Sequence, residues 1–207
     1  VMLSYGFKIS DNMNMKIEPY FQQLYDVPVI ADSSYSVLNR RDFYVENALV
    51  NRGKGRNIGV DITLERYLNK GLYYMVTASI FDSKYYGGDR KWRNTLYNRN
   101  FIINVLGGKE WMVGRDKQNM FSVNFKITLQ GGDRYAPVDE VATLLDPDRE
   151  VQYDETKAFS KQFSPMFITN FSVGYKINRK KVSHEFSIKS LNTTGCDCLL
   201  YTSDAAD

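Results

Sequence analysis

Met120 to Gln130 reads MFSVNFKITLQ. Phe121, Val123, Phe125, Ile127 and Leu129 fall on one side, and Ser122, Asn124, Lys126, Thr128 and Gln130 on the other. Strict alternation of apolar and polar residues marks a strand with one dry and one wet face. The pattern spreads outward from here. Asn57 to Leu68, NIGVDITLERYL, sets Ile58, Val60, Ile62, Leu64 and Leu68 against Asn57, Asp61, Thr63 and Glu65. Phe167 to Ile177 sets Phe171, Val173, Tyr175 and Ile177 against Asn170, Ser172 and Lys176, and Leu3, Tyr5, Phe7 and Ile9 repeat the theme. Weaker strand patterns cover Lys16 to Val29, Leu72 to Ser83, Asn100 to Val113 and Val182 to Leu191. Together they predict about eight strands, several of them long beside the usual 5 to 6 residues. No segment carries a convincing amphipathic-helix pattern.

Composition agrees. Among 207 residues stand 15 Tyr, 12 Phe and 2 Trp but only 5 Pro, a balance that favours strands and argues against disorder. The length suits one domain. A net charge of +3 gives no reason to expect nucleic-acid binding, which needs a concentrated basic patch. No run of 18 apolar residues exists, so no membrane-spanning helix is expected. The opening VMLSYGFKIS does not read as a signal peptide.

The connections alternate in length. Short turns at Asp11-Asn12, Asn69-Lys70-Gly71, Gly114 to Asn119 and Asn178 to Lys181 alternate with polar segments at Ala31 to Arg56, Lys84 to Arg99 and Gly131 to Pro165. Loops of that length are uncommon in compact soluble domains. Short turns at one end and long loops at the other are the pattern of an up-and-down outer-membrane barrel. In hydrocarbon every backbone polar group must be paired within the protein, which a closed sheet achieves. A tilted strand of about 9 to 11 residues crosses the bilayer. Tyr20, Tyr25, Tyr67, Tyr73, Tyr74 and Trp111, near strand ends, suit interfacial girdles. The alternative is a soluble sandwich or lipocalin-like barrel, in which the aromatics form cross-strand pairs.

The stretch GRNIGVDITLERYLNKGLYYMVTASIFDSKYYGGDRKWRNTLYNRNFIINVLGGKEW, with NMFSVNFKITLQGGDRYAPVD after it, resembles TonB-dependent outer-membrane receptors of Bacteroidetes-type bacteria. AFSKQFSPMFITNFSVGYKINRKKVSHEFSIKSLNTTG resembles their final hairpin. The resemblance spans residues 1–196 and implies an all-β fold: an antiparallel up-and-down transmembrane β-barrel, here about eight strands of a larger 22-stranded one. It implies uptake of a bulky, scarce nutrient such as an iron chelate, cobalamin or an oligosaccharide. Implied partners are the TonB complex, reached through a plug domain outside this chain, outer-membrane lipid and lipopolysaccharide, and the small-molecule or glycan ligand. No enzymatic activity, cofactor or metal is expected. Residues 197–207 stand apart: Cys198 to Asp207, CLLYTSDAAD, resembles a translated sequencing adapter, so Cys196 and Cys198 are not read as a metal pair. The chain is expected to be part of a longer protein. A soluble carbohydrate-binding module and an outer-membrane barrel enzyme are the alternatives.

Gly-Gly-Asp-Arg occurs twice, at Gly87 to Arg90 and Gly131 to Arg134, each just past a strand. Turn chemistry, with glycine supplying positive φ, is one reading. The functional reading puts Asp89, Arg90, Trp92, Arg134 and Tyr135 at the extracellular mouth against the ligand, with Tyr85, Tyr86 and Trp92 free to stack on a sugar or chelate. Asn51 to Arg56, NRGKGR, lacks phosphate-loop spacing and reads as a mobile loop facing lipopolysaccharide or ligand. Asp146-Pro147-Asp148 lacks the ligand spacing of a calcium loop. His184, the only histidine, lies beside a short turn, which argues against a triad or zinc cluster built on it.

Overall fold

The computed structural model describes residues 1–39, 47–148 and 150–195, and the chain is all-β and antiparallel. In order come β1 (Tyr5–Ser10), β2 (Met13–Ile30), β3 (Leu49–Asn69), β4 (Leu72–Tyr86), β5 (Trp92–Asn94), β6 (Phe101–Val113), β7 (Asn119–Gln130), β8 (Arg134–Tyr135), α1 (Glu140–Leu145), β9 (Lys161–Gln162), β10 (Met166–Asn178) and β11 (Ser183–Ser190). The main sheet runs β1-β2-β3-β4-β6-β7-β10-β11, with β5 paired to the upper end of β4, and β8 and β9 make a separate ribbon. Eight strands meander with nearest-neighbour pairing throughout, as the periodicity predicts. Among the described strands the sheet is open, its edges being β1 and β11.

Register turns the alternation into two continuous faces. Ile17, Ile62, Ala78, Ile103, Leu129 and Phe167 lie in one row across six strands. The row through Phe125 holds Gly107 on one side and Phe171 on the other. Directly paired residues share a face, so Phe21, Ile58, Ile80, Val105, Phe125 and Phe171 fall on one side of the sheet, while Met75, Phe81, Ile102, Leu106 and Ile168 fall on the other among the polar residues. We call the first side the outer face. The reverse, inner face is a lattice of polar cross-strand bonds. Asn57 Nδ2 donates to Gln22 at 2.9 Å, and Ser83 Oγ to Asn57 at 2.6 Å. Thr128 Oγ1 donates to Asn104 at 2.8 Å, and Tyr73 OH to Asn124 at 2.7 Å.

Several expectations are corrected. β3 begins at Leu49, so NRGKGR is strand rather than loop: Lys54, Gly55 and Arg56 pair with Tyr86, Tyr85 and Lys84. Glycines at 53 and 55 erase the alternation there, which hides the strand from a periodicity reading. Tyr20 and Tyr73 turn to the inner face, Tyr20 over Gly59 and Tyr73 over Gly108, because their parity is that of Asp61 and Asn124. Of the proposed girdle residues, Tyr74 and Trp111 share the apolar parity. Among the described residues there is one short α-helix: Asp139 caps α1 by accepting from the Ala142 N–H at 3.0 Å. Residues 40–46, 149 and 196–207, including the adapter-like tail and part of the first long loop, lie outside the described residues.

The buried apolar core is small and lies at the long-loop end. It consists of Val27, Val29, Tyr85, Leu96 and Ala158, with Ser36, Arg93, Thr95 and Asn98 buried among them.

Candidate functional site

At the long-loop end, three long connections converge on the ends of the strands. β3 and β4 extend toward the loops past Ile58 and Asp82, and β5 adds to β4 there. On the inner side of this extension, Tyr85 pairs with Gly55 and Arg93 with Tyr85. The glycines at 53 and 55 leave room that a Cβ would take from Val29 and Leu38. The loops fill that room.

Arg93 is the clamp. Its guanidinium donates to both carboxylate oxygens of Asp89, at 2.8 and 2.6 Å, and to the Thr156 carbonyl at 3.3 and 3.4 Å. One side chain thus ties the loop after β4 to the loop after β7. Arg93's two hydrogen bonds hold the Asp89 carboxyl below its ordinary range, and Asp89 in turn holds the guanidinium above its own. Asn94 donates to the Phe159 carbonyl at 3.5 Å, and the Tyr85 and Phe159 rings meet edge to face, so Tyr85, expected to be free to stack on a ligand, is instead buried beneath the loops. The first long loop joins through the Asp89 N–H on the Ser33 carbonyl and the Leu96 N–H on Asn39 Oδ1.

A second knot lies beside it. Arg99 Nε donates to Asp133 at 2.6 Å, while Arg134 donates to the Asn98 carbonyl and to Asn100 Oδ1, both at 2.8 Å. Burial pushes the Arg134 guanidinium below its usual value. Tyr135 stacks on Phe163, ring centres 4.3 Å apart. The loop tip is braced by Asp154, brought down to about 2 by bonds from Thr156 and Lys157.

The six candidate residues fall into three places. Asp89 is bound to Arg93 in the clamp, and Arg90 beside it is exposed, with φ of 64°. Tyr86 and Trp92 pack together, ring centres 5.5 Å apart, and pair in register with Lys54 on the outer side of the extension. Arg134 and Tyr135 form β8 in the second knot. The glycines of the two Gly-Gly-Asp-Arg turns serve close approach rather than positive φ. A Cβ on Gly88 would lie 1.8 Å from the Ile30 carbonyl oxygen, and one on Gly131 equally close to that of Arg99.

Arg93 and Asn98 are absent from the sequence-derived candidates, and Lys54 and Arg56 enter them only as part of a loop, whereas they belong to β3. For Arg93 the available signal was its four-residue spacing from Asp89; for Lys54 and Arg56 it was the parity of Ile58 carried backward. Asp146 is used within its loop, accepting from the Asp148 N–H and Gln152 Nε2. Among the described residues no cluster of three His, Cys, Asp or Glu side chains is placed to hold a metal ion. His184 pairs with Ile177 on the edge strand β11.

These features define a class: an antiparallel all-β sheet with one apolar face, one polar face, and loops gathered at one end. Compared with known proteins, the chain matches no family model, no curated protein and no solved structure.

Proposed function

We propose that this chain forms part of the wall of an outer-membrane β-barrel. In this reading it is the C-terminal part of a TonB-dependent receptor that takes up a bulky nutrient such as an iron chelate, a cobalamin or an oligosaccharide. One observation carries the reading. The outer face presents Phe21, Ile58, Ile80, Phe125, Phe167 and Phe171 as exposed residues, continuous in register, while the inner face satisfies its polar groups strand to strand. Soluble monomers rarely expose contiguous apolar patches beyond a few hundred Å2. Hydrocarbon removes that cost, and a wet lumen accepts the polar side. The long strands β2, β3, β4, β6, β7 and β10, of 12 to 21 residues, exceed a bilayer crossing and leave extensions for the loops.

In the receptor the loop end captures ligand, and a plug moved by TonB admits it. No bond is made or broken, so no catalytic residue is assigned. A soluble sandwich would need a second layer over the outer face, and the described residues supply none.

Single cysteines along residues 121–129, in the membrane-inserted gene product with its own cysteines changed to serine, test the wall. Positions 121, 123, 125, 127 and 129 should react with a bilayer-soluble maleimide and resist a charged one, and positions 122, 124, 126 and 128 should do the reverse. Equal labelling of both parities by the charged reagent would sink the membrane reading. Receptor activity is tested by disrupting the gene and measuring uptake of the three labelled nutrient classes. Loss of one supports it; unchanged uptake of all three counts against it.

A further inference from the structure

Where β3 and β4 rise past the apolar band, their outer face changes character. Continuing the parity of Ile62, Val60 and Ile58 toward the loops gives Arg56 and Lys54; continuing that of Ile80 gives Asp82, Lys84 and Tyr86. Trp92, paired with Tyr86, lies in the same patch. Arg56 lies over the Trp92 ring at 5.6 Å and Lys54 over the Tyr86 ring at 5.9 Å. Lys84 is 3.3 Å from Asp82, whereas no described carboxylate lies within ion-pair distance of Lys54 or Arg56. The loops cover the opposite side of these strand ends, through Tyr85 and Arg93, so this side stays open: Lys54 and Trp92 are exposed.

We infer that Lys54, Arg56 and Lys84, flanked by Tyr86 and Trp92, bind the headgroup of an anionic lipid carrying phosphomonoester groups, in the leaflet on the loop side. The occupant follows from the order of surfaces along the strands. Exposed Phe21, Ile58 and Ile80 offer acyl chains an apolar bed, and the next outward positions offer cations at headgroup height. The amphipathic rings of Tyr86 and Trp92 lie level with Lys54, one step beyond Arg56 and Lys84, where one end of a ring can be greasy and the other wet. Three cations against one carboxylate favour a dianionic phosphate over a zwitterionic headgroup. The guanidinium of Arg56 and the ammonium groups of Lys54 and Lys84 each donate to phosphate oxygens. This inference rests on the membrane reading of the sheet.

The test uses the gene product extracted from membranes in mild detergent, stripped of lipid, and titrated with phosphatidic acid or phosphatidylcholine under native mass spectrometry. Phosphatidic acid should be retained in preference. The double variant Lys54→Gln/Arg56→Gln should lose about tenfold or more of that preference, since each cation adds to attraction of an anionic headgroup. Lys126→Gln, an exposed cation of the inner face, should leave it unchanged, and circular dichroism should show that both variants keep the wild-type fold. Equal retention of the two lipids would overturn the headgroup site while leaving the wall intact. Retention of neither would overturn the membrane reading and this site with it. Equal loss in Lys126→Gln would assign the preference to net charge, and displacement by millimolar inorganic phosphate would assign the site to free phosphate. Either result overturns the inference.

Discussion

The sheet and the loop end of this chain treat water oppositely. In the loop end, Tyr85 and Val29 are 0% exposed and three loops close over them. Across the outer face, Phe125 is 41%, Phe171 46% and Ile80 56% exposed, with nothing described packed over them. The same residue types that build a core at one end coat a surface in the middle. A chain folded for a single aqueous solvent would bury both sets. In the proposed reading the contrast reflects two solvents: the loop end obeys the rules of a soluble protein, and the sheet those of a wall between lipid and a wet interior.

The largest expected effect falls in the loop end. Asp89→Ala leaves the Arg93 guanidinium, 7% exposed, without its counter-ion, and breaking a buried pair from one side costs about 3 to 5 kcal/mol. Hydrogen exchange of residues 87–99 should quicken by more than a hundredfold, with β6 and β7 unaffected. Asp89→Ala combined with Arg93→Met should be milder than Asp89→Ala alone, because no charge is then stranded. The same pair fixes a pH dependence. Asp89 titrates below its ordinary value in the folded chain, so its stabilisation is full above the unfolded value near 4. That stabilisation is lost as pH falls through the folded value. The loops should stay equally protected from pH 9 down to about 5 and loosen below about 4.

Next comes the sheet itself. Phe125→Arg places a charge on the outer face; Asn124→Arg places it on the inner one. In a bilayer the first should cost about 2 to 4 kcal/mol and the second little. In an aqueous protein a solvent-exposed Phe125 would tolerate arginine. Urea titration of both variants in lipid vesicles separates the cases, and equal stabilities would erase the contrast between the two regions.

The sheet was legible because its physics is local. Each of Phe121, Val123, Phe125, Ile127 and Leu129 announces its side by alternation alone, and nearest-neighbour pairing then follows from short turns. The start of β3 was illegible because Gly53 and Gly55 carry no side chain to alternate; their smallness answers to Val29 and Leu38, far away in sequence. The girdle assignment failed at Tyr20 and Tyr73 for another reason. Nearness to a strand end does not set the side of an aromatic; its parity, here that of Asp61 and Asn124, does. The loop end was the least legible part. The bond from Arg93 to the Thr156 carbonyl spans 63 residues, and nothing in Gly-Gly-Asp-Arg announces it.

A smaller effect is expected at the junction of the two regions. Gly88→Ala drives a Cβ to 1.8 Å from the Ile30 carbonyl oxygen, a backbone atom that cannot swing aside. About 1 to 3 kcal/mol of overpacking strain should result. Because Gly88 joins β4 to the clamp, the strain should register as faster proteolysis of the loops and leave the sheet's urea midpoint unchanged.

The smallest effect is the most discriminating about the inner face. Thr128→Val keeps shape but removes the hydroxyl that donates to Asn104 at 2.8 Å. Asn104 also reaches toward Thr77, so it is the middle of a three-strand bridge. If the inner face is wet, water replaces the lost donor and the change costs about 1 kcal/mol or less. If a packed layer covered that face, Asn104 would be stranded and the cost would approach about 3 kcal/mol. A shift of the urea midpoint in lipid vesicles corresponding to 1 kcal/mol or less therefore marks a water-lined interior. The larger value would mean that the polar lattice is the inside of something dry, and the two regions would then share one solvent after all.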